Sequence, residues 1–143
     1  MGVKRYCVDG TNLVRTAYGY AGTAHQEQEN ADTERIVEIF ARLCEDAGSV
    51  LEVELFFDGA YRAVPASRSD NFHVSFSGDV SADELILDRV RALSWNQGGQ
   101  ITVVTADGDL GRSAEDEGGK WMRVSHGTSP ESVARKMGGR FFR

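Results

Sequence analysis

Three aspartates each close a run of strand-forming residues. Asp9 follows Arg5 to Val8, Asp58 follows Val50 to Phe57, and Asp107 follows Ile101 to Thr105 across Ala106. A fourth, Asp83, stands beside Glu84 where a helical stretch opens. If the strands lie parallel in one sheet, their carboxyl ends share the edge at which open α/β sheets bind ligands, and these acids converge there. Carboxylates packed together repel one another and raise each other's pKa unless hard cations such as Mg²⁺ or Mn²⁺ lie between them. Such a site suits phosphodiester hydrolysis: one ion generates hydroxide from water, and a second, roughly 4 Å away, stabilises the leaving oxygen. Asn12 can donate and accept hydrogen bonds, which suits it to orient water or a phosphate oxygen, with Thr11 and Thr105 in support. Asp109, close to Asp107, is a further candidate ligand.

Taken singly, each acid has an ordinary structural role, because strand ends and helix starts favour Asp. Ser81-Ala82-Asp83-Glu84 reads as a capping box, which accounts for Glu84 and places Asp83 where the helix dipole favours a negative charge. Asp109 also reads as the cap of the helix that follows it, and Asp88 lies on the face of Glu84 but farther from the active edge. The inference rests on the joint occurrence of acids after the first, second and fourth strands.

The elements that must position these residues alternate along the chain. A strand over Arg5 to Val8 ends in a loop, Asp9 to Asn12. Apolar residues at helical spacing, Ile36, Val37, Ile39, Phe40, Leu43 and Ala47, predict a helix from Asp32 to Ala47, with Asp32 or Thr33 as cap and Gly48 as stop. Strands follow over Val50 to Phe57 and Phe72 to Phe76, joined by a loop carrying Tyr61, Arg62, Pro65 and Arg68. Leu85, Ile86, Val90 and Leu93 form the buried stripe of the next helix, which ends near Leu93. A strand over Ile101 to Thr105, a short helix from about Leu110 to Glu117, a strand over Lys120 to Val124 and a helix from Ser129-Pro130 complete the chain. This alternation predicts a doubly wound α/β fold with helices on both faces of a parallel sheet. At 143 residues the chain suits one domain.

Composition narrows the function. Sixteen Lys and Arg against twenty-two Asp and Glu leave a charge of −6, so nucleic-acid binding requires a local basic surface and clustering of the acids around a cation. Cys7 and Cys44 form no CxxC pair and read as buried free thiols. The N-terminus lacks a signal-peptide pattern and no apolar run reaches membrane-spanning length, which makes a reducing cytoplasm the expected setting, with no membrane partner. His25, His73 and His126 are too scattered for zinc or a His-based triad, and no glycine-rich nucleotide-binding loop is present.

Four motifs together resemble the NYN branch of PIN-like nucleases, and within it the YacP-like group of bacterial endoribonucleases. Val8-Asp9-Gly10-Thr11-Asn12-Leu13 is similar to the family's opening VDGxN. Phe56-Phe57-Asp58-Gly59 resembles its second acidic strand end, Ser81-Ala82-Asp83-Glu84 its helix start, and Thr105-Ala106-Asp107-Gly108-Asp109 its fourth element. The match spans roughly the first four-fifths of the chain. It implies a PIN-like (Rossmannoid) three-layer sandwich with strand order 3-2-1-4-5, and a Mg²⁺- or Mn²⁺-dependent endoribonuclease using Asp9, Asp58, Asp83 and Asp107. Asn12 matches the family's polar position. RNA, single-stranded or structured and ribosome-associated RNA included, is the implied substrate, met by Tyr61, Arg62 and Arg68; the assembly is expected to be a monomer or homodimer. The basic, aromatic tail from Arg135 to Arg143 grips RNA or docks on the core.

Two other readings use the same residues. Val8-Asp9-Gly10-Thr11 is similar to the DxDGT of haloacid dehalogenase-type phosphatases, but Cys7 occupies the position of the nucleophilic Asp. A receiver-like domain would want a Lys after the last strand, where Ser125-His126 stands. An RNA-binding or assembly module on the nuclease fold, without turnover, is the main rival.

Overall fold

Val8, Val53, Leu55, Val103 and Val104 are shut off from solvent, as strand residues are when a parallel sheet is covered on both faces. They lie in the three inner strands of one sheet in this computed structural model, which describes residues 3–18, 26–65, 69–97 and 101–138. Strand β1 is Lys4–Asp9, β2 Leu51–Phe57, β3 Phe72–Phe76, β4 Ile101–Thr105 and β5 Lys120–Arg123. Every pairing is parallel, in the order β3-β2-β1-β4-β5. Parallel neighbours need crossovers. Helices α1 (Gly10–Tyr18) and α2 (Gln26–Ala47) lie between β1 and β2, α3 (Ala82–Gln97) between β3 and β4, α4 (Gly108–Asp116) between β4 and β5, and α5 (Pro130–Gly138) follows β5. The expected α/β sandwich and its strand order are therefore present.

Side-chain alternation divides the core in two. Val8, Leu51, Val53, Leu55, Phe57 and Val104 pack with Leu13, Ile36, Phe40, Leu43 and Val133 on the face of α1, α2 and α5. Cys7, Phe56, Ile101 and Val103 pack with Ile86, Val90, Leu110 and Ala114 on the face of α3 and α4. The second layer is thinner. Over β2 it leaves Glu52 and Glu54 half-buried, and Glu54 accepts from the Ser75 hydroxyl at 2.6 Å and pairs with Arg89 at 3.0 Å. β2 therefore alternates apolar and charged residues, unlike a strand buried on both faces.

Register sets the height of each strand end. Asp9 pairs with Phe56, and Val8 pairs with both Leu55 and Val104. Thr105 is thus level with Asp9, while Asp58 and Asp107 each lie two residues farther out. β1 and β4 flank the point where the strand order reverses, the switch point at which such sheets bind ligands. Beyond β2 and β3 the chain is clasped: Gly78 donates its amide to the Gly59 carbonyl at 2.8 Å and Gly59 donates to Ser77 Oγ at 3.1 Å. Gly59 and Gly78 have φ of 90° and 64°, in the left-handed region that favours glycine.

Several boundaries differ from the sequence reading. α1 replaces the loop expected after Asp9. α2 begins at Gln26 rather than Asp32; Thr33 does not cap it, because its hydroxyl donates to the Glu29 carbonyl 2.8 Å away, one turn back inside the helix. α3 continues to Gln97, and α4 begins at Gly108 rather than Leu110. Cys7 and Cys44 are buried and free, as expected. Among the described residues no helix is long and apolar enough to cross a membrane.

Candidate active site

Asp9 is 4% exposed. Its Oδ1 accepts from the Asn12 amide at 3.3 Å, in the first turn of α1, and its Oδ2 accepts from the Thr105 hydroxyl at 3.1 Å. Thr105 Oγ1 in turn accepts from the Asp107 amide at 3.0 Å, and Asn12 Oδ1 accepts from the Ala106 amide at 2.9 Å. Asn12 and Thr105 therefore tie the ends of β1 and β4 together around Asp9. The Trp121 indole nitrogen donates to the Thr105 carbonyl at 3.1 Å and holds that backbone from the β5 side.

Asp58 is fixed from both faces of the sheet. Its amide donates to Thr11 Oγ1 at 2.8 Å, and its Oδ1 accepts from the Ala82 amide at 2.7 Å, the first residue of α3. Ser81 Oγ accepts from the Glu84 amide at 3.2 Å, as half of a capping box would. Asp107 caps α4, accepting from the amides of Asp109 at 2.9 Å and Leu110 at 3.4 Å. The cap of α4 is thus Asp107, where the sequence reading considered Asp109, because the helix starts two residues closer to β4. The positive ends of α1, α3 and α4 all face the acids, which offsets part of their repulsion.

Burial and, after it, mutual repulsion raise two of the acids. Burial pushes the Asp9 carboxyl up to about 7; the Asp83 and Asp58 charges add to this, against hydrogen bonds from Asn12 and Thr105 that lower it. Burial also raises Asp83, half-buried in the first turn of α3, with the charges of Asp107 and Asp58 adding to it. Asp9, Asp58, Asp83 and Asp107 therefore form one electrostatically coupled set. Asp109 stands apart, almost wholly exposed and paired with Arg112 at 2.6 Å.

The donor set suits a hard cation, since all four groups are carboxylates. Among the described residues, no three His, Cys, Asp or Glu side chains close on a common point tightly enough to hold an ion. Asp9, Asp58 and Asp107 are each held by backbone amides, and Asp9 by the Thr105 hydroxyl as well.

The loop after β2 places its two described RNA-binding candidates differently. Tyr61 is 79% exposed, edge-on to Phe76. Arg62 lies against Phe76 and Phe57, its guanidinium carbon 5.0 and 5.9 Å from their ring centres. Arg68, His25 and the tail residues beyond 138 lie outside the described residues. His73 and His126 are exposed, and Cys7, at the phosphatase nucleophile position, is buried with its thiol pushed well above the usual range by desolvation.

Sequence reasoning missed α1 and what it brings: Thr11 under Asp58, Gly10 packed against β2, and Arg15, which pairs with Glu29 at 3.2 Å. Leu13, Val14 and Ala17, at helical spacing, carried a signal for that helix.

With this geometry in hand, similarity to known proteins is informative. The YacP-like NYN domain model matches residues 6–127. The crystal structure of Rae1 (YacP) from Bacillus subtilis superposes with a TM-score of 0.63 at 19% identity, covering 93% of this chain and 73% of that one. No curated protein matches the chain.

Proposed function

Because the chain belongs to the YacP-like NYN domain family, a branch of a nuclease superfamily whose members generally depend on divalent metals and act on RNA, we propose that it is a single-domain, cytoplasmic, Mg²⁺- or Mn²⁺-dependent endoribonuclease hydrolysing phosphodiester bonds at Asp9, Asp58, Asp83 and Asp107. The observation that carries this reading is the buried Asp9 carboxyl, raised to about 7 by desolvation and by the charges of Asp83 and Asp58. Such a group costs stability unless a cation joins it.

Asp9, Asp83 and Asp107 would hold the ion, and Asp109 would have to release Arg112 to join them. The metal would supply Lewis-acid activation of water and of the phosphodiester. Asp58 locks the start of α3, and with it Asp83, against β2. Asn12 uses its carbonyl oxygen on the Ala106 amide, which leaves its NH₂ to donate to a phosphate oxygen. Thr105 sets the orientation of the Asp9 carboxylate.

The test is incubation of purified protein with mixed RNAs and single-stranded DNA in Mn²⁺, Mg²⁺ or EDTA, beside Asp9→Asn and Asp107→Asn. The reading expects metal-dependent RNA cleavage that both variants lose; cleavage that survives both refutes the site. The rival reading is an RNA-binding or assembly module on the same fold, without turnover. RNA binding by wild type without cleavage in any metal would establish that rival.

A further inference from the structure

A cavity of about 230 Å³ opens beside Asp58, between α1, α2 and the loop after β2. Thr11, Arg15, Glu29, Phe57 and Arg62 line it together with Asp58. Asp58 belongs both to this cavity and to the coupled acids, so a chain bound at one passes the other.

Two arginines and two carboxylates line the cavity; Arg15 pairs with Glu29 and Asp58 gives Oδ1 to the Ala82 amide, which leaves Arg62 as the cation without a partner among the described residues. Arg62 is held against Phe57 and Phe76, makes no ion pair among the described residues, and has a buried Nε with no hydrogen-bond partner. A buried donor atom without an acceptor is costly and is satisfied when a ligand supplies one. Arg15 spends Nε on Glu29 and keeps its other nitrogens, while Glu29, 12% exposed, is occupied by that pair. Thr11 Oγ1 already accepts from the Asp58 amide and has its proton left to give. A phosphodiester brings acceptors alone and carries the charge that an unpaired guanidinium lacks.

We propose that this cavity seats a phosphodiester of the RNA chain adjacent to the one at the acid cluster, with Arg62 as anchor and Arg15 and Thr11 in support. The proposal rests on the nuclease reading for its ligand. It separates Arg62, a phosphate anchor, from its neighbour Tyr61, which the exposure of its ring leaves for base stacking.

The experiment measures binding of short fluorescent RNAs in EDTA, where turnover plays no part, to wild type, Arg62→Gln, Arg62→Lys and Arg15→Gln. A companion set of RNAs carries one uncharged methylphosphonate, moved along the chain. Wild type should lose about tenfold in affinity when one particular phosphate is neutralised. Arg62→Gln should bind unmodified RNA about tenfold more weakly, should no longer register that neutralisation, and should show a shallower salt dependence by about one charge. Arg62→Lys should recover part of the loss, and Arg15→Gln, altering a half-exposed residue, should show a smaller loss at the same phosphate. Wild-type affinity in Arg62→Gln, an undiminished methylphosphonate penalty in it, or a changed base preference in place of a phosphate effect overturns the proposal. If RNA binds this way but is never cleaved, the nuclease reading fails and the seat stands; if RNA is cleaved with KM unchanged in Arg62→Gln, the seat fails alone.

Discussion

Replacing Asp9 by Asn should make the metal-free protein more stable above neutral pH. The Asp9 carboxyl is 4% exposed and titrates at about 7 instead of 3.8, chiefly through burial. Between those two values the folded chain keeps a proton that the unfolded chain has released. Folding stability therefore falls as pH rises through that window, and the whole cost is present above about pH 7. A rise of about three units at roughly 1.4 kcal/mol each sets a ceiling near 4 kcal/mol; coupling to Asp83 and Asp58 spreads part of it, leaving roughly 1–3 kcal/mol to recover. Asn is uncharged and nearly the same shape, and the Thr105 hydroxyl can turn to Asn12 Oδ1, 3.4 Å away. Thermal unfolding in EDTA near pH 8 should then place Asp9→Asn several degrees above wild type, with the gap closing towards about pH 4, where wild-type Asp9 is protonated. Saturating Mn²⁺ should reverse the order, since an ion at a hundred times its Kd stabilises wild type by about 2.7 kcal/mol and has no full site in the variant. A variant less stable than wild type near pH 8 in EDTA, or a gap that does not change with pH, would refute the reasoning.

Thr105→Val keeps shape but leaves the Asp107 amide without its acceptor and Asp9 with only the Asn12 amide as donor; it should cost about 1–2 kcal/mol in a urea titration and lower kcat more than it raises KM. Gly10→Ala would place a Cβ 2.5 Å from the Phe57 ring and 2.9 Å from the Phe56 carbonyl oxygen; because the carbonyl belongs to β2 and cannot yield cheaply, the denaturation midpoint should fall by the equivalent of roughly 1–3 kcal/mol.

What was legible in the sequence were features that a strand or helix carries by itself. β3 and β4 lie where their β-branched and aromatic runs placed them, and the acids at the strand ends do share one edge. α1 was hidden because Asp9-Gly10-Thr11-Asn12 satisfies the requirements of a turn and of a helix start equally. The early start of α2 was hidden because Gln26 to Ala31 carries no apolar stripe. Choosing between Asp107 and Asp109 as cap depended on how soon after β4 the chain enters the helix, and both positions carry the same capping residue type. Arg15 and Glu29 come together only because α1 and α2 pack side by side, and no local pattern announces such a pair.

The clasp between Gly59 and Gly78 closes the excursion from Ala60 to Ser77 at its root. Asp58 sits just before the clasp and is pinned by Thr11 and Ala82, neither of which belongs to the excursion. If the loop meets RNA as proposed, residues inserted or deleted between Ala60 and Asn71 would change that contact without moving the acid. On the proposed reading, selectivity and chemistry would then sit on mechanically separate parts of the chain, so that the loop could be exchanged as a cassette while the carboxylate edge stays intact.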